Sequence, residues 1–121
     1  MAATKAVTAM ENGLTLTAGA GDDTGTAVDL SAGYGAQISL KLSNAATGPT
    51  IAAQIQIQVS QDDSEYYDFG GPLVGSTANS AVSSWSTEIP IGVEYVRTVQ
   101  GSNTGQNVTC DIDLSNVTAV A

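Results

Sequence analysis

Hydrophobic and polar residues alternate most strictly over residues 50–60, TIAAQIQIQVS. Ile51, Ala53, Ile55, Ile57 and Val59 share one parity, and Gln54, Gln56, Gln58 and Ser60 share the other. Period-2 alternation predicts a strand with one face in a core and one face in water. β-Branched side chains hold the inward positions, where a pleated surface suits them. A one-residue slip would bury the glutamines, so the pattern specifies its own register.

The same alternation recurs along the chain. In residues 36–43 it places Ile38, Leu40 and Leu42 inward. In residues 107–114 it places Val108, Cys110, Ile112 and Leu114 inward. Weaker strands are expected at 13–17, 26–30 and 81–89, where Trp85 shares a parity with Ile89. Residues 93–100 are ambiguous: Tyr95, Arg97 and Val99 share one face, Val96 and Thr98 the other. Either the Tyr95 face reaches solvent, or Arg97 extends its stem over apolar neighbours. Glycine-rich stretches at 18–25, 31–35 and 101–106 read as turns, the last as a hairpin loop. Residues 1–12 show no clear period and read as an extended arm, flexible or pairing with a partner. The domain then spans residues 13–121. Seven to eight short strands without an amphipathic helix predict an all-β fold, an antiparallel sandwich of Ig-like or jelly-roll-like type. A closed barrel is the alternative.

Composition narrows the function classes. With 121 residues and 42% hydrophobic content, the chain suits one packed domain. Its net charge is −9, and Lys5, Lys41 and Arg97 are its only basic side chains. Three scattered cations build no phosphate-binding track, so neither nucleic acid nor an anionic membrane is an expected partner. No apolar run approaches the ~20 residues of a membrane-spanning helix, and MAATKAVTAM lacks the apolar core of a signal peptide. Cytoplasmic synthesis is the expectation. Cys110 is the single cysteine, which leaves no intrachain disulfide, and its inward parity makes it a small buried hydrophobe.

Candidate chemistry is sparse. The absence of histidine removes Ser-His-Asp and Cys-His catalysis and most zinc sites. Asp23-Thr24-Gly25 matches the D-[ST]-G signature of aspartic proteases, and Leu73-Val74-Gly75 resembles the segment that braces that loop. The chemistry needs two carboxylates sharing a proton, yet this aspartate follows Gly21-Asp22 in a polar loop, which favours a surface turn. Asp22, Asp23 and Asp29 form one acidic cluster and Asp62, Asp63, Glu65 and Asp68 another. Neither has EF-hand spacing; acidic turns account for both, with a weak cation site in one of them as the alternative. Nothing places two carboxylates across a glycosidase cleft. Tyr66, Tyr67, Phe69 and Trp85 suit a core or an interface, or a face on which sugars stack. Asn107-Val108-Thr109 and Asn116-Val117-Thr118 match glycosylation acceptors by coincidence in the absence of a secretory signal. No cofactor and no metal is expected.

Residues 60–69, SQDDSEYYDF, resemble a strand-and-turn segment, S-x-D-[DG]-x-x-[YW]-x-x-[LF], found in β-sandwich virion proteins. Residues 89–105, IPIGVEYVRTVQGSNTG, resemble the P-x-G-x-x-Y-[VL]-R strand that follows it there. Together with residues 38–60, the stretch 25–115 is similar to small structural proteins of tailed bacteriophages, especially head decoration or cement proteins. The Pro-Gly…Tyr run is also similar to fibronectin type III domains, but Arg97 stands where that family has an apolar residue. The phage resemblance implies a non-catalytic sandwich on the outer surface of a virion. It implies binding to the major capsid protein, with self-association, a trimer favoured, bridging neighbouring capsid subunits. The contacts are expected at Met1, Ala2, Ala3, Thr4 and Lys5 of the arm and at Tyr66, Tyr67 and Phe69. The alternatives are a tail or baseplate module and a carbohydrate-binding sandwich for host surfaces.

Overall fold

The computed structural model describes residues 3–120, with side chains described from Lys5 to Thr118. The described residues form ten strands and no helix: β1 Ala3–Leu16, β2 Asp22–Thr24, β3 Val28–Asp29, β4 Ala36–Asn44, β5 Gln54–Ser60, β6 Tyr67–Asp68, β7 Leu73–Val74, β8 Val82–Ile89, β9 Tyr95–Gly101 and β10 Val108–Val120. One sheet runs β1-β10-β4-β8. The other runs β2-β9-β5-β6, with β3 also on β9 and β7 also on β5. Every strand pairing is antiparallel. The chain is an all-β antiparallel sandwich, and the two- and three-residue strands bring the number above the seven or eight expected.

The inward parities hold except at the end of β5, where the outward-parity Ser60 is buried and Val59 only partly so. Ile38, Leu40 and Leu42 of β4 and Val108, Cys110, Ile112 and Leu114 of β10 are buried, and they meet Ile55 and Ile57 of β5 and Val96 of β9 in one core. Each such side chain contributes on the order of 1.5–3 kcal/mol when fully buried. Burial pushes the Cys110 thiol up to about 12, so the thiolate is not available near neutral pH.

Four expectations are corrected. Residues 3–12 do not stand apart: they belong to β1, which pairs with β10 from Ala3↔Val120 to Leu16↔Val108. Side chains 5–9 are exposed, so a backbone ladder rather than an apolar face holds them, and periodicity carries no trace of it. Residues 101–106 close no hairpin, because β9 and β10 lie in different sheets. The loop arches between them, and its buried Asn103 donates to the Leu16 and Gln106 carbonyls, each at 2.9 Å. Ile51 is 56% exposed despite its parity, because β5 begins only at Gln54 and Ile51 bridges the 101–106 loop through Thr104 beyond the sheet's end. The glycine-rich turn at 18–25 contains a strand, β2, laid on the edge of β9.

Candidate binding surfaces

β9 resolves its ambiguity by turning polar residues inward. Val96, Thr98 and Gln100 are buried, while Tyr95, Arg97 and Val99 are half-exposed beside Gln54, Gln56 and Gln58 of β5. The 61–71 loop folds over this outer face. Asp62 organises the turn, accepting from the Ser60 hydroxyl at 3.1 Å and from the Ser64 and Glu65 amides at 2.9 and 3.0 Å. Those bonds hold its carboxyl below the usual range, led by the Glu65 amide. Tyr66 lies over Arg97, with the guanidinium carbon 3.7 Å from the ring centroid. Arg97 Nε donates to Gln58 Oε1 at 2.9 Å, Gln58 Nε2 to Asp68 Oδ1 at 3.1 Å, and the Tyr66 hydroxyl to Asp63.

This network makes Tyr66 part of the fold rather than a free contact. Desolvation first, then the Asp63 carboxylate, push its phenol up to about 12, and Arg97 opposes them. The sign follows: the folded state favours the neutral phenol, so this contribution is complete below pH ~10 and is lost as pH rises from ~10 towards ~12. In a spectrophotometric alkaline titration, Tyr66 should ionise well above the usual phenol range, and Tyr66→Phe should delete that late step. A Tyr66→Phe titration identical in shape to the wild type would contradict the stacked geometry.

The expected contact residues are divided by the fold. Met1 and Ala2 lie outside the described residues. Ala3 and Thr4 supply backbone to β1, and Lys5 is exposed at its start, beside Tyr34, Gln37 and Glu88 around a shallow cavity of about 200 Å³. Tyr66, Tyr67 and Phe69 belong to the opposite sheet, so the arm and residues 66–69 are not one patch. Tyr67 is 64% exposed and Phe69 packs on the core. Among the four aromatics singled out in the sequence, the structure joins Phe69 and Trp85. They flank a cleft of about 240 Å³ between the free edge of β8 and the short strands β6 and β7, floored by Ile57 and Leu73.

Two features escape sequence reading. One is the free long edge of β1, with Val7 73% exposed. The other is a meeting of Glu11 and Asp23 across Gln100, whose Nε2 lies 3.2 Å from Glu11 Oε1 and 3.0 Å from Asp23 Oδ2. The DTG triplet therefore sits on an exposed edge strand. Leu73-Val74 lies on β5, on the side away from β9, and does not brace it. No group of three or more His, Cys, Asp or Glu suited to a metal occurs among the described residues. Of the glycosylation-like asparagines, Asn107 serves the fold, its Oδ1 accepting from the Ala18 amide at 2.9 Å.

No protein-family model matches the chain, and no curated protein matches it. Solved structures match its fold. The SPBc2 prophage-derived protein YomS is 17% identical with a TM-score of 0.55, over 97% of this chain and 96% of that one. A family 16 carbohydrate-binding module is 11% identical with a TM-score of 0.53, over 84% and 74%. A chain of infectious bursal disease virus, Gx strain, is 9% identical with a TM-score of 0.61; the match covers 93% of this chain but 31% of the viral one. At these identities the likeness is one of fold: β-sandwiches from a viral particle, a prophage and a carbohydrate-binding module.

Proposed function

We propose that this chain is a non-catalytic virion structural protein that docks on the outer surface of a phage capsid, self-associates, and bridges neighbouring major capsid subunits. The observation that carries the reading is β1. It is a 14-residue strand at a sheet edge, small and weakly charged, with only Lys5 and Glu11 along it. Proteins that remain monomeric blunt such edges with charge, proline, bulges or cover; β1 has register shifts at Thr4/Lys5, Ala9/Glu11 and Glu11/Leu14, and its regular exposed stretch is Lys5–Ala9. An open edge offers its backbone groups to a partner strand, and repetition over a symmetric shell lets each contact be weak. The resemblance of residues 25–115 to head decoration proteins supports the same reading.

Cryo-electron microscopy of source particles, with this chain's density sought on the head, tests it. Density at regular positions between capsid subunits is expected, and Val7→Lys should weaken rebinding to stripped shells at least tenfold. A bare head with density on the tail would replace the reading by a tail or baseplate role. The Phe69–Trp85 cleft favours a second reading, a host-sugar site, in which Trp85 fluorescence would be quenched on a glycan panel while particles carry no density.

A further inference from the structure

We propose that Asn12 is a self-modification site: the Gly13 backbone nitrogen displaces its side-chain amide with the Asp111 carboxylate as base, and water then leaves aspartate or isoaspartate in its place. The fold sets up the meeting. The β1–β10 register passes from Glu11↔Ile112 to Leu14↔Cys110, so Asn12 and Gly13 together face the single residue Asp111. That is a bulge, with the ladder interrupted and the glycine at φ +66°. Across it, the Gly13 amide donates to Asp111 Oδ1 at 2.8 Å. Asp111 lies 98 positions away in sequence, so the Asn-Gly pair alone brings no carboxylate to that nitrogen.

The other five asparagines are fastened or shielded. Asn44 Nδ2 donates to the Ser76 and Ala78 carbonyls, each at 2.8 Å. Asn79 Oδ1 accepts from the Gly48 amide and Asn107 Oδ1 from the Ala18 amide, each at 2.9 Å. Asn103 is buried and donates to two carbonyls, and Asn116 Oδ1 is buried. Each of the five precedes a residue whose Cβ crowds the approach of the next backbone nitrogen to the side-chain carbonyl. Asn12 differs on every count. It is exposed, its side chain makes no hydrogen bond among the described residues, and a Cβ on Gly13 would meet nothing within 4 Å.

The chemistry balances. Asp111 takes the Gly13 N–H proton as the nitrogen's electron pair attacks Asn12 Cγ and the carbonyl pair moves onto oxygen. When that pair returns, the Cγ–Nδ2 bond breaks, and Nδ2 leaves as ammonia with the proton that Asp111 held. The five-membered succinimide then takes up a solvent water. Cleavage of its N–Cγ bond gives aspartate; cleavage at the backbone carbonyl gives isoaspartate, with the chain routed through Cγ. Nothing is oxidised or reduced. Ring closure turns Asn12 away from extended backbone, which breaks ladder bonds at a paired position but not at a bulge. The base needs no search, because it already holds the proton it must take. The product adds negative charge beside Glu11 on a chain of net charge −9, and isoaspartate adds a backbone carbon to β1. The reaction does not depend on β1 docking to a shell.

Ageing the purified chain at mildly alkaline pH tests the site, read by peptide mapping in the mass spectrometer and by enzymatic methylation of isoaspartate. Aspartate and isoaspartate should accumulate at residue 12 faster than at any other asparagine, by roughly tenfold or more. Asp111→Asn keeps an acceptor oxygen but removes the base. In the folded protein it should slow the reaction at residue 12 by roughly tenfold or more, and in the urea-unfolded chain it should change nothing. Asp63→Asn, a remote carboxylate, should leave the folded rate as it is. Circular dichroism checks the fold of each variant, and Asp111→Ser replaces Asp111→Asn if that variant is unfolded. An intact Asn12 while other asparagines react would overturn the proposal. So would an Asp111→Asn rate equal to or above the wild type in the folded protein, since the carboxylate would then only fasten the Gly13 amide.

Discussion

Replacing Ile112 with alanine should lower the unfolding free energy by about 2–5 kcal/mol, the range for deleting a large aliphatic side chain and leaving a cavity. Ile112 is 0% exposed and sits mid-strand in β10, between Leu40 of β4 on one side and Glu11 of β1 on the other. β10 is a central strand of its sheet, so its neighbours cannot close the cavity without moving two ladders. Urea unfolding should show a lower midpoint with an unchanged slope. Val7→Ala, at a 73% exposed position of β1, provides the contrast and should stay within about 0.5 kcal/mol. Equal midpoint shifts for the two variants would mean that the core does not centre on β10.

Gly101→Ala should be comparably damaging, by roughly 2–6 kcal/mol, for a different reason. Gly101 closes β9 with φ near +137°, a conformation that L side chains rarely adopt. A Cβ there would also lie 2.5 Å from the Gly21 carbonyl oxygen and 3.2 Å from the Asp22 Cα. Both obstacles are backbone, so no rotamer relieves them. The β2–β9 pairing would have to open, because Gly101 pairs with Asp22 on one side and Gln54 on the other. The check is again urea unfolding, with hydrogen exchange at residues 22–24 as a local readout. A variant as stable as the wild type, with those amides still protected, would contradict the tight approach of β2.

The two substitutions differ in how visible their sites are in the sequence. Ile112 is legible directly, since Val108, Cys110, Ile112 and Leu114 alternate with polar residues and all four are buried. The crowding at Gly101 is not. It arises because residues 18–25, which read as a turn, return to the edge of β9, and no local pattern reports which distant backbone will approach a glycine.

The candidate sites divide in the same way. Phe69 and Trp85 are prominent as rare aromatics, and their shared cleft forms only because β8 and the 66–74 segment edge opposite sheets on the same open side. Tyr66 reads as a contact residue by type, but Arg97 and Asp63 hold it within the fold. Gln100 reads as an unremarkable polar position, and only the fold buries it where its amide donates to two carboxylates from different sheets.

Alternation by itself determined the class of fold and the inward faces of β4, β5, β8 and β10, because side-chain direction in a strand depends only on parity. Cys110 as a buried thiol and the polar turn at 61–64 followed from local residue type in the same way. Only the tertiary structure decided which strands are neighbours, that β1 is an edge rather than an arm, and that the 101–106 loop changes sheets. It also decided that Glu11 meets Gln100 across 89 positions of sequence. Strand pairing rests on backbone hydrogen bonds that every residue type can make, so it leaves no mark in the order of side chains and is settled when the two sheets close on a common core.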